Sequence, residues 1–180
     1  MKIVKRLFNE VIVYKPFLFR DERGTFVKTF HKDQFTKAGL ELSAAEEFYS
    51  TSKKNVIRGF HFQVPPYSHK KLIYCTYGRV LDVVVDLRIN SPTYGICKEI
   101  ELSASNNFII YIGVGFGHAF LSLEEMSCLV YKTDCVHAPD YDLGLLWNSF
   151  DYKWPTENPQ ISVRDSKFIP FSQFKSPFTQ

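Results

Sequence analysis

Short segments in which every second residue is apolar recur along the whole chain. The clearest covers Arg79 to Leu87, where the odd positions from Leu81 onward are Leu or Val and the even positions alternate Val with Asp. Such alternation predicts half-buried β-strands, and short strands at regular spacing favour an all-β sandwich or barrel. Similar runs cover Val11 to Phe19, Thr25 to Phe30, Asn55 to Gln63, Lys71 to Tyr77, Cys97 to Leu102, Asn107 to Ile112, Ala119 to Leu123 and Cys128 to Thr133.

The rest of the chain predicts little helix. Lys32 to Ala38, closed by Gly39, is the one good helix candidate in the first half. After Pro139 the pattern loosens into a tail rich in Trp, Pro and Phe, which we expect to form strands and loops that wrap the barrel or a partner. With 180 residues, 20.9 kDa and no internal repeat, the chain is expected to form one domain spanning residues 1–180.

Charge and hydropathy exclude several classes of protein. A net charge of +3 is too small to indicate a nucleic-acid partner. The apolar runs are far shorter than a membrane span, and the basic start of the chain lacks an apolar signal region, so we expect a cytoplasmic protein with no membrane partner. The four cysteines show no C-x-x-C spacing and are expected to be reduced, buried and free of disulfides.

The sequence offers no strong cofactor or metal motif. Gly113 to Gly117 has the wrong third position for a dinucleotide-binding loop and no helix pattern after it. The most polar strand carries His61, and simple alternation puts Gln63 on the same face and Arg58 on the opposite one. A metal-binding barrel would need a second histidine where Gln63 stands, and His61 with His118 alone would be a poor site. We therefore predict no metal and no cofactor.

Several blocks of sequence together point to one enzyme family. They are Asp21 to Gly24, Lys53 to Gln63, Lys71 and Leu72, Val83 to Arg88, Ser91 to Gly95, Gly115 to Phe120, Leu129 to Lys132, Trp154 and Pro155, and Ile161 to Asp165. In these blocks the chain resembles the dTDP-4-dehydrorhamnose 3,5-epimerases. The resemblance covers roughly residues 8 to 168 in order. It implies a cupin-type (jelly-roll) β-barrel, a homodimer, no cofactor, and a nucleoside-diphosphate 4-keto sugar as substrate in deoxysugar biosynthesis for surface polysaccharide.

The chemistry of a 4-keto sugar explains which residues such an enzyme needs. The ketone acidifies the hydrogens on C3 and C5, so epimerisation requires a base, a group that stabilises the enolate, and an acid on the opposite face of the sugar. By resemblance, His61 is the base, with Asp165 hydrogen-bonded to its far nitrogen, and Tyr131 is the acid. Lys71 matches the cation that stabilises the enolate oxygen.

The resemblance also assigns binding residues. Arg23 and Arg58 match ligands of the diphosphate, for which planar guanidinium groups are well suited. Asp82 and His118 match polar residues of the active-site floor. The complete set that we expect to bind substrate is Arg23, Lys28, Glu46, Phe48, Arg58, Gln63, Asp82, His118 and His137.

Four of these positions depart from the family pattern. Glu46 and Phe48 stand where the family usually has Gln and Asn, Lys28 where rhamnose-pathway members commonly have Glu, and His137 where the family commonly has Tyr. A carboxylate near a diphosphate is repulsive. We therefore expect an epimerase whose sugar or nucleotide differs from the rhamnose case.

Other functions stay open at this point. A sugar-nucleotide 3,4-ketoisomerase uses a related barrel and enolate, and a non-catalytic barrel could bind the same ligands. A metal-dependent cupin oxygenase ranks last. The residues leave open which base and sugar are bound, whether C3, C5 or both are inverted, and the order of the proton transfers.

Overall fold

The computed structural model describes residues 1–179, and within them strands dominate. The predicted all-β class is confirmed. The only α-helix there, α1, spans Lys32–Lys37, close to its predicted bounds. The strands are β1 Lys2–Phe8, β2 Val11–Lys15, β3 Phe17–Asp21, β4 Gly24–Lys28, β5 Glu46–Ser52, β6 Ile57–Gln63, β7 Lys71–Tyr77, β8 Arg79–Asp86, β9 Cys97–Ser103, β10 Ile109–Ile112, β11 Phe116–Ser122, β12 Ser127–Thr133 and β13 Asp142–Gly144.

Two antiparallel sheets form the body of the molecule. The large sheet has the order β1-β2-β10-β7-β12-β5, and the small sheet has the order β13-β6-β11-β8-β9. Strands β3 and β4 pair only with each other in a separate hairpin, called the arm below. The two sheets remain separate hydrogen-bonded ladders, so the molecule is a sandwich and the sheets do not close into a barrel.

The alternation of β8 sets its position between two layers. Val80 and Val84 point inward and join a core built from both sheets, together with residues such as Ile73 and Leu129 of the large sheet. The uniformly apolar face of β8 points outward and is covered instead of being exposed to water. The amphipathic strand predicted from the sequence is therefore a central strand buried on both faces.

Two further layers cover the outer faces of the sheets. Phe35 of α1 packs on Tyr14 and Tyr111 and closes the outside of the large sheet. The C-terminal tail, residues 145–179, packs Trp154 and Phe178 against the outside of the small sheet. The tail wraps the body as predicted, but beyond β13 it contributes turns, short 3₁₀ helices and isolated bridges in place of further strands.

Two details of the first strands differ from the sequence prediction. Pro16 divides the predicted Val11 to Phe19 strand into β2 and β3, because proline has no N–H for a ladder hydrogen bond. The strand β1 was not predicted, since its outer residues are mostly charged and exposed and only Leu7 and Phe8 are buried.

Candidate active site

A bulge in β6 determines which of its side chains point to the same face of the strand. Opposite β11, His61 pairs with His118 and Arg58 with Phe120, so three steps on β6 match two on β11. This bulge brings Arg58 to the same side as His61 and Gln63, and the prediction that Arg58 lies on the opposite face is wrong. Gly59, at φ +115°, sits within the bulge.

The three residues line a cavity of about 290 Å³ between the two sheets. One wall comes from β5, β7 and β12 of the large sheet, and the other from β6 and β11 of the small sheet. Nine of the predicted site residues share this cavity. They are Glu46, Phe48, Arg58, His61, Gln63, Lys71, His118, Tyr131 and His137.

His61 forms a dyad with a buried carboxylate. Its Nε2 lies 3.0 Å from Oδ1 of Asp165, and the other carboxylate oxygen accepts a hydrogen bond from the N–H of Gly59 at 3.1 Å. Burial alone would raise the pKa of Asp165, but the hydrogen bond and charge of His61 and the Gly59 N–H outweigh it and lower that pKa. An ionised Asp165 only accepts, so Nε2 carries a proton, and in the neutral form of the ring the free lone pair is on Nδ1.

Tyr131 projects into the cavity from the opposite sheet. Its ring stacks on Phe48, with centroids 4.9 Å apart, and its hydroxyl lies 3.4 Å from the Ser50 hydroxyl. Burial raises the pKa of Tyr131 well above its usual value, and the nearby charge of Asp82 raises it further. The phenol therefore keeps its proton at neutral pH and is available as an acid.

Lys71 places a cation between the walls. Its Nζ donates to the carbonyl oxygen of His61 at 3.2 Å. Burial lowers the pKa of Lys71 to about 8, against the opposing pull of Asp142 and Asp82. The ammonium is thus charged at neutral pH but titrates within the range that an activity assay can reach.

The floor behind these groups is a second histidine–carboxylate pair. His118 Nε2 lies 2.7 Å from Asp82 Oδ2, and both side chains are buried. The other oxygen of Asp82 has no hydrogen-bond partner within residues 1–179. His118 touches the cavity, whereas Asp82 lies behind it and contacts His118.

Three other predicted residues are held by protein groups. The Arg58 guanidinium donates to the Ser52 hydroxyl and the Thr51 carbonyl. Glu46, at the other end of β5, accepts the backbone N–H of His137 at 2.6 Å. Glu46 and Arg58 are thus anchored at opposite ends of β5. The fold therefore does not force the Glu46 carboxylate to lie beside a diphosphate bound by Arg58.

Gln63 is engaged more completely. Its amide nitrogen donates to the carbonyls of Tyr67 and Val136, and its oxygen accepts the N–H of Ala138. The side chain borders the cavity, yet these contacts tie two loops together and occupy its polar atoms. The structure thus gives Gln63 a structural task, and its contact with substrate stays a prediction.

Two predicted binding residues lie outside the cavity of their own chain. Arg23 is at the tip of the arm, largely exposed and paired with Asp21, and Lys28 is at the end of β4. The arm forms no ladder with either sheet, and neither side chain is part of the lining of the cavity that holds His61. Arg23 and Lys28 are therefore not brought to the cavity of their own chain, and their contact with substrate stays a prediction.

Sequence reasoning missed several side chains that line the cavity. His69 is the most unusual, because both its ring nitrogens are buried without a partner in the described part of the chain. His69 lies two residues before Lys71, and Ser50 lies two residues after Phe48. Residues at this spacing share a face of an extended chain, and this pattern could have revealed both. The other lining residues not predicted are Phe120, Thr133, Cys135, Asp142 and Arg164.

The described residues hold neither a cluster of metal ligands nor a membrane-spanning helix. Within residues 1–179, no three His, Cys, Asp or Glu side chains are grouped as ligands of a metal ion. The same residues contain no helix with the length and apolar character needed to cross a bilayer.

Comparisons with known proteins agree with the resemblance seen in the sequence. A family model for dTDP-4-dehydrorhamnose 3,5-epimerase matches residues 5–173. A protein of that name from Shigella flexneri is 36% identical in an alignment 180 residues long. The alignment covers 97% of this chain and 99% of the relative.

Solved structures extend the agreement to the fold. A 3,5-epimerase from Legionella pneumophila in complex with dTDP-4-keto-L-rhamnose matches with a TM-score of 0.94 and 28% identity, covering 99% of this chain and 98% of the other. A 3'-monoepimerase from Streptomyces bikiniensis in complex with dTDP-quinovose matches at 0.88 and 29%, with 96% and 88% covered. The chain therefore belongs to the dTDP-4-dehydrorhamnose 3,5-epimerase family, and it is an isomerase with a cupin-type fold.

Proposed function

We propose that the cavity epimerises a nucleoside-diphosphate 4-keto-6-deoxy sugar at C3, C5 or both, without a cofactor, in deoxysugar biosynthesis. One observation carries this proposal. His61, bonded to Asp165, and Tyr131 project from opposite sheets into the same cavity, so a sugar between them meets a base on one face and an acid on the other.

The proton transfers follow from the protonation states. Nδ1 of His61 takes the proton from the carbon beside the carbonyl, and the electrons of the broken C–H bond move onto the carbonyl oxygen. Asp165 stabilises the resulting imidazolium, and the Lys71 ammonium stabilises the enolate oxygen. As the carbonyl re-forms, Tyr131 gives its proton to the opposite face of the same carbon. Exchange with water then restores His61 and Tyr131.

Each group has a definite share in the rate. A positioned acid or base is worth about 10²- to 10⁴-fold, and one oriented donor at the enolate oxygen about 10²- to 10³-fold. The buried Tyr131 ring, stacked on Phe48, gives the cavity an apolar wall beside which charges interact more strongly than in water.

A homodimer would complete the site. Phe17, Phe19 and Phe26 of the arm are each more than half exposed, and a hairpin with such an apolar surface is suited to burial against another chain. The arm of one copy would then bring Arg23 and Lys28 to the cavity of the other. We propose that each chain contributes a single domain, residues 1–180, to this dimer.

The substrate we propose carries a nucleoside diphosphate, and relatives bind dTDP sugars. Glu46, Phe48 and His137 line the cavity and differ from the family pattern, which supports a sugar or nucleotide other than the rhamnose precursor. Four free cysteines support a reducing compartment, and we place the reaction in the cytoplasm.

The test is substrate-dependent exchange of carbon-bound hydrogen in deuterated water, followed by NMR with dTDP-, UDP-, GDP- and CDP-linked 4-keto-6-deoxy sugars. We expect deuterium at C3, C5 or both, and loss of this exchange in His61→Asn. His31→Asn, which changes a histidine outside the cavity, is the matched control and should exchange at the wild-type rate. Tyr131→Phe should still allow abstraction but slow inversion.

Two results would contradict the proposal. Wild-type protein that exchanges no carbon-bound hydrogen with any of these sugars would exclude the epimerase. A product whose carbonyl has moved from C4 to C3 would identify a 3,4-ketoisomerase instead.

A further inference from the structure

The hydrogen bond to Asp165 does not by itself fix the ring of His61. A single contact at Nε2 restrains the imidazole only loosely against rotation about its Cβ–Cγ bond. Such a turn swings Nδ1 away from any fixed point in the cavity. Proton abstraction requires this nitrogen to face the carbon acid, because small errors in position lower rates steeply. A second contact must therefore hold the plane of the ring.

Phe168 makes that second contact. Its ring meets the His61 ring edge to face, with centroids 5.6 Å apart and planes at 83°. This is a preferred geometry for aromatic pairs, and it resists rotation of either ring. Phe168 is absent from the cavity lining, so it acts on His61 without being placed to touch a ligand.

The Phe168 ring fits against the backbone of Gly144, which has no side chain to obstruct it. Gly144 of β13 is the direct cross-strand neighbour of His61 on β6. A Cβ on Gly144 would lie 2.6 Å from Cδ2 of Phe168, and closer still to other atoms of that ring. The Phe168 ring thus occupies the space that any side chain at residue 144 would fill, immediately beside the base.

Phe168 is also fixed from its own side of the molecule. The guanidinium carbon of Arg164 lies 5.3 Å from the centre of its ring, and Arg164 is held by the Asp142 carboxylate at 2.7 Å. The N–H of Phe168 donates to the carbonyl of Asp165 at 3.3 Å. One short segment, residues 164–168, therefore carries both the hydrogen-bond partner of His61 and the wall against its ring.

We propose that Phe168 is a positioning residue for the base: seated over Gly144, it fixes the plane of the His61 imidazole so that Nδ1 faces the cavity. This inference rests on the proposed function, in which His61 is the base. Asp165 sets the tautomer and Phe168 sets the orientation.

The first test compares turnover in matched variants. Phe168→Ala should lower kcat for hydrogen exchange about tenfold, with KM and the thermal shift caused by dTDP nearly unchanged. Phe168→Tyr keeps the ring and should restore kcat, whereas Gly144→Ala, which displaces the ring, should lower it. Phe174→Ala removes a ring that packs on Phe62 outside the cavity and controls for lost aromatic packing. A kcat for Phe168→Ala within twofold of that control would overturn the proposal.

The second test does not depend on turnover. Nitrogen-15 NMR of labelled histidines should show His61 as the Nε2–H tautomer in the wild type and in Phe174→Ala. In Phe168→Ala, rotation about the Cβ–Cγ bond should take Nε2 intermittently away from Asp165, and the signal should be averaged toward a mixture of tautomers. An unchanged His61 signal in that variant overturns the positioning role. Absence of exchange in the wild type, with the expected change in the His61 signal, would overturn the proposed function and leave the positioning role supported.

Discussion

At the scale of single residues, burial controls which groups are charged. Lys71 is the clearest case. Desolvation lowers the pKa of its ammonium group to about 8, although the charges of nearby carboxylates favour the protonated form. An ammonium with this pKa is charged below pH 8 and neutral above it. If the charge stabilises the enolate, the contribution of Lys71 to activity should be full below this pH and fall as the pH rises through it.

We therefore expect kcat/KM for hydrogen exchange to show an alkaline limb near pH 8 that disappears in Lys71→Arg, since a guanidinium stays charged over an accessible range of about pH 6 to about pH 10. The Arg variant should be slower overall, because its fork does not reproduce a point charge. An alkaline limb of the same midpoint in both proteins would assign the titration to another group.

His69 shows the cost of a buried histidine without a partner. Burial, and then the charges of Lys71 and His137, lower its pKa to about 3, so its ring is neutral in the folded protein. The unfolded chain protonates His69 near pH 6.5. Stability from this residue is full above that value and is lost as the pH falls toward the folded pKa, because the unfolded state binds the extra proton.

Between about pH 7 and about pH 5.5, this linkage should cost the wild type about 1 kcal/mol in free energy of unfolding. His69→Leu, which cannot titrate, should lose correspondingly less over the same interval. Urea unfolding at the two pH values measures the difference. Equal losses in the two proteins would show that His69 is protonated in the fold or accessible to water.

At the scale of elements, the bulge in β6 is the device that assembles the site. Gly59 lies in it with a positive φ, and a Cβ there would come within 2.7 Å of the Cα of Ala119 on β11. Gly59→Ala should therefore destabilise the fold by about 3 kcal/mol, from strain and overlap together.

Gly39→Ala is the matched control for this effect. Gly39 also has a positive φ, but nothing lies within 4 Å of a Cβ built on it, so only the backbone term of about 1 kcal/mol should remain. Chemical denaturation of both variants separates the two contributions. Equal costs would mean that β11 moves aside without penalty and that the close approach at Gly59 has little importance.

The same strand shows what sequence patterns can and cannot predict. Alternation in β8 correctly assigned both of its faces, because that ladder is regular. In β6 the same reasoning put Arg58 on the wrong face, since one extra residue reverses the alternation and leaves no mark on the apolar pattern. Only Gly59 hints at the irregularity.

Residues brought together by long-range folding were predictable only through the family resemblance, or not at all. Asp165 was paired with His61 on that ground, across 104 positions of sequence. Asp142 and Arg164, which meet at the cavity, lie in irregular segments whose local pattern carries no information about each other. Phe168 likewise looks like one more aromatic residue of the tail until Gly144 is seen opposite it.

At the scale of the whole molecule, the position of Arg23 makes a testable statement about assembly. Suppose that the arm of one copy serves the cavity of the other. A homodimer of Arg23→Ala or of His61→Asn then has a defect in both of its sites. In a mixed dimer of the two variants, both defects fall in the same site. The second site of that dimer is intact. Mixing the two variants under conditions of subunit exchange should restore about a quarter of the wild-type sites.

Hydrogen exchange measured before and after mixing provides the readout, with size-exclusion chromatography to establish the dimer. Mixing Arg58→Ala with His61→Asn is the control. Both residues line the cavity of their own chain, so each of the two sites in the mixed dimer keeps one defect and no intact site forms. Failure of the first mixture to recover activity, in a protein shown to exchange subunits, would place Arg23 outside the site.

The contribution of the tail to the dyad affects when the protein becomes competent during its synthesis. Both sheets end by Gly144, so they can pair while the last part of the chain is still inside the ribosome. The base acquires its carboxylate partner only when the segment around Asp165 has emerged and docked. A nascent or proteolytically clipped chain would thus have its sandwich assembled while remaining chemically silent.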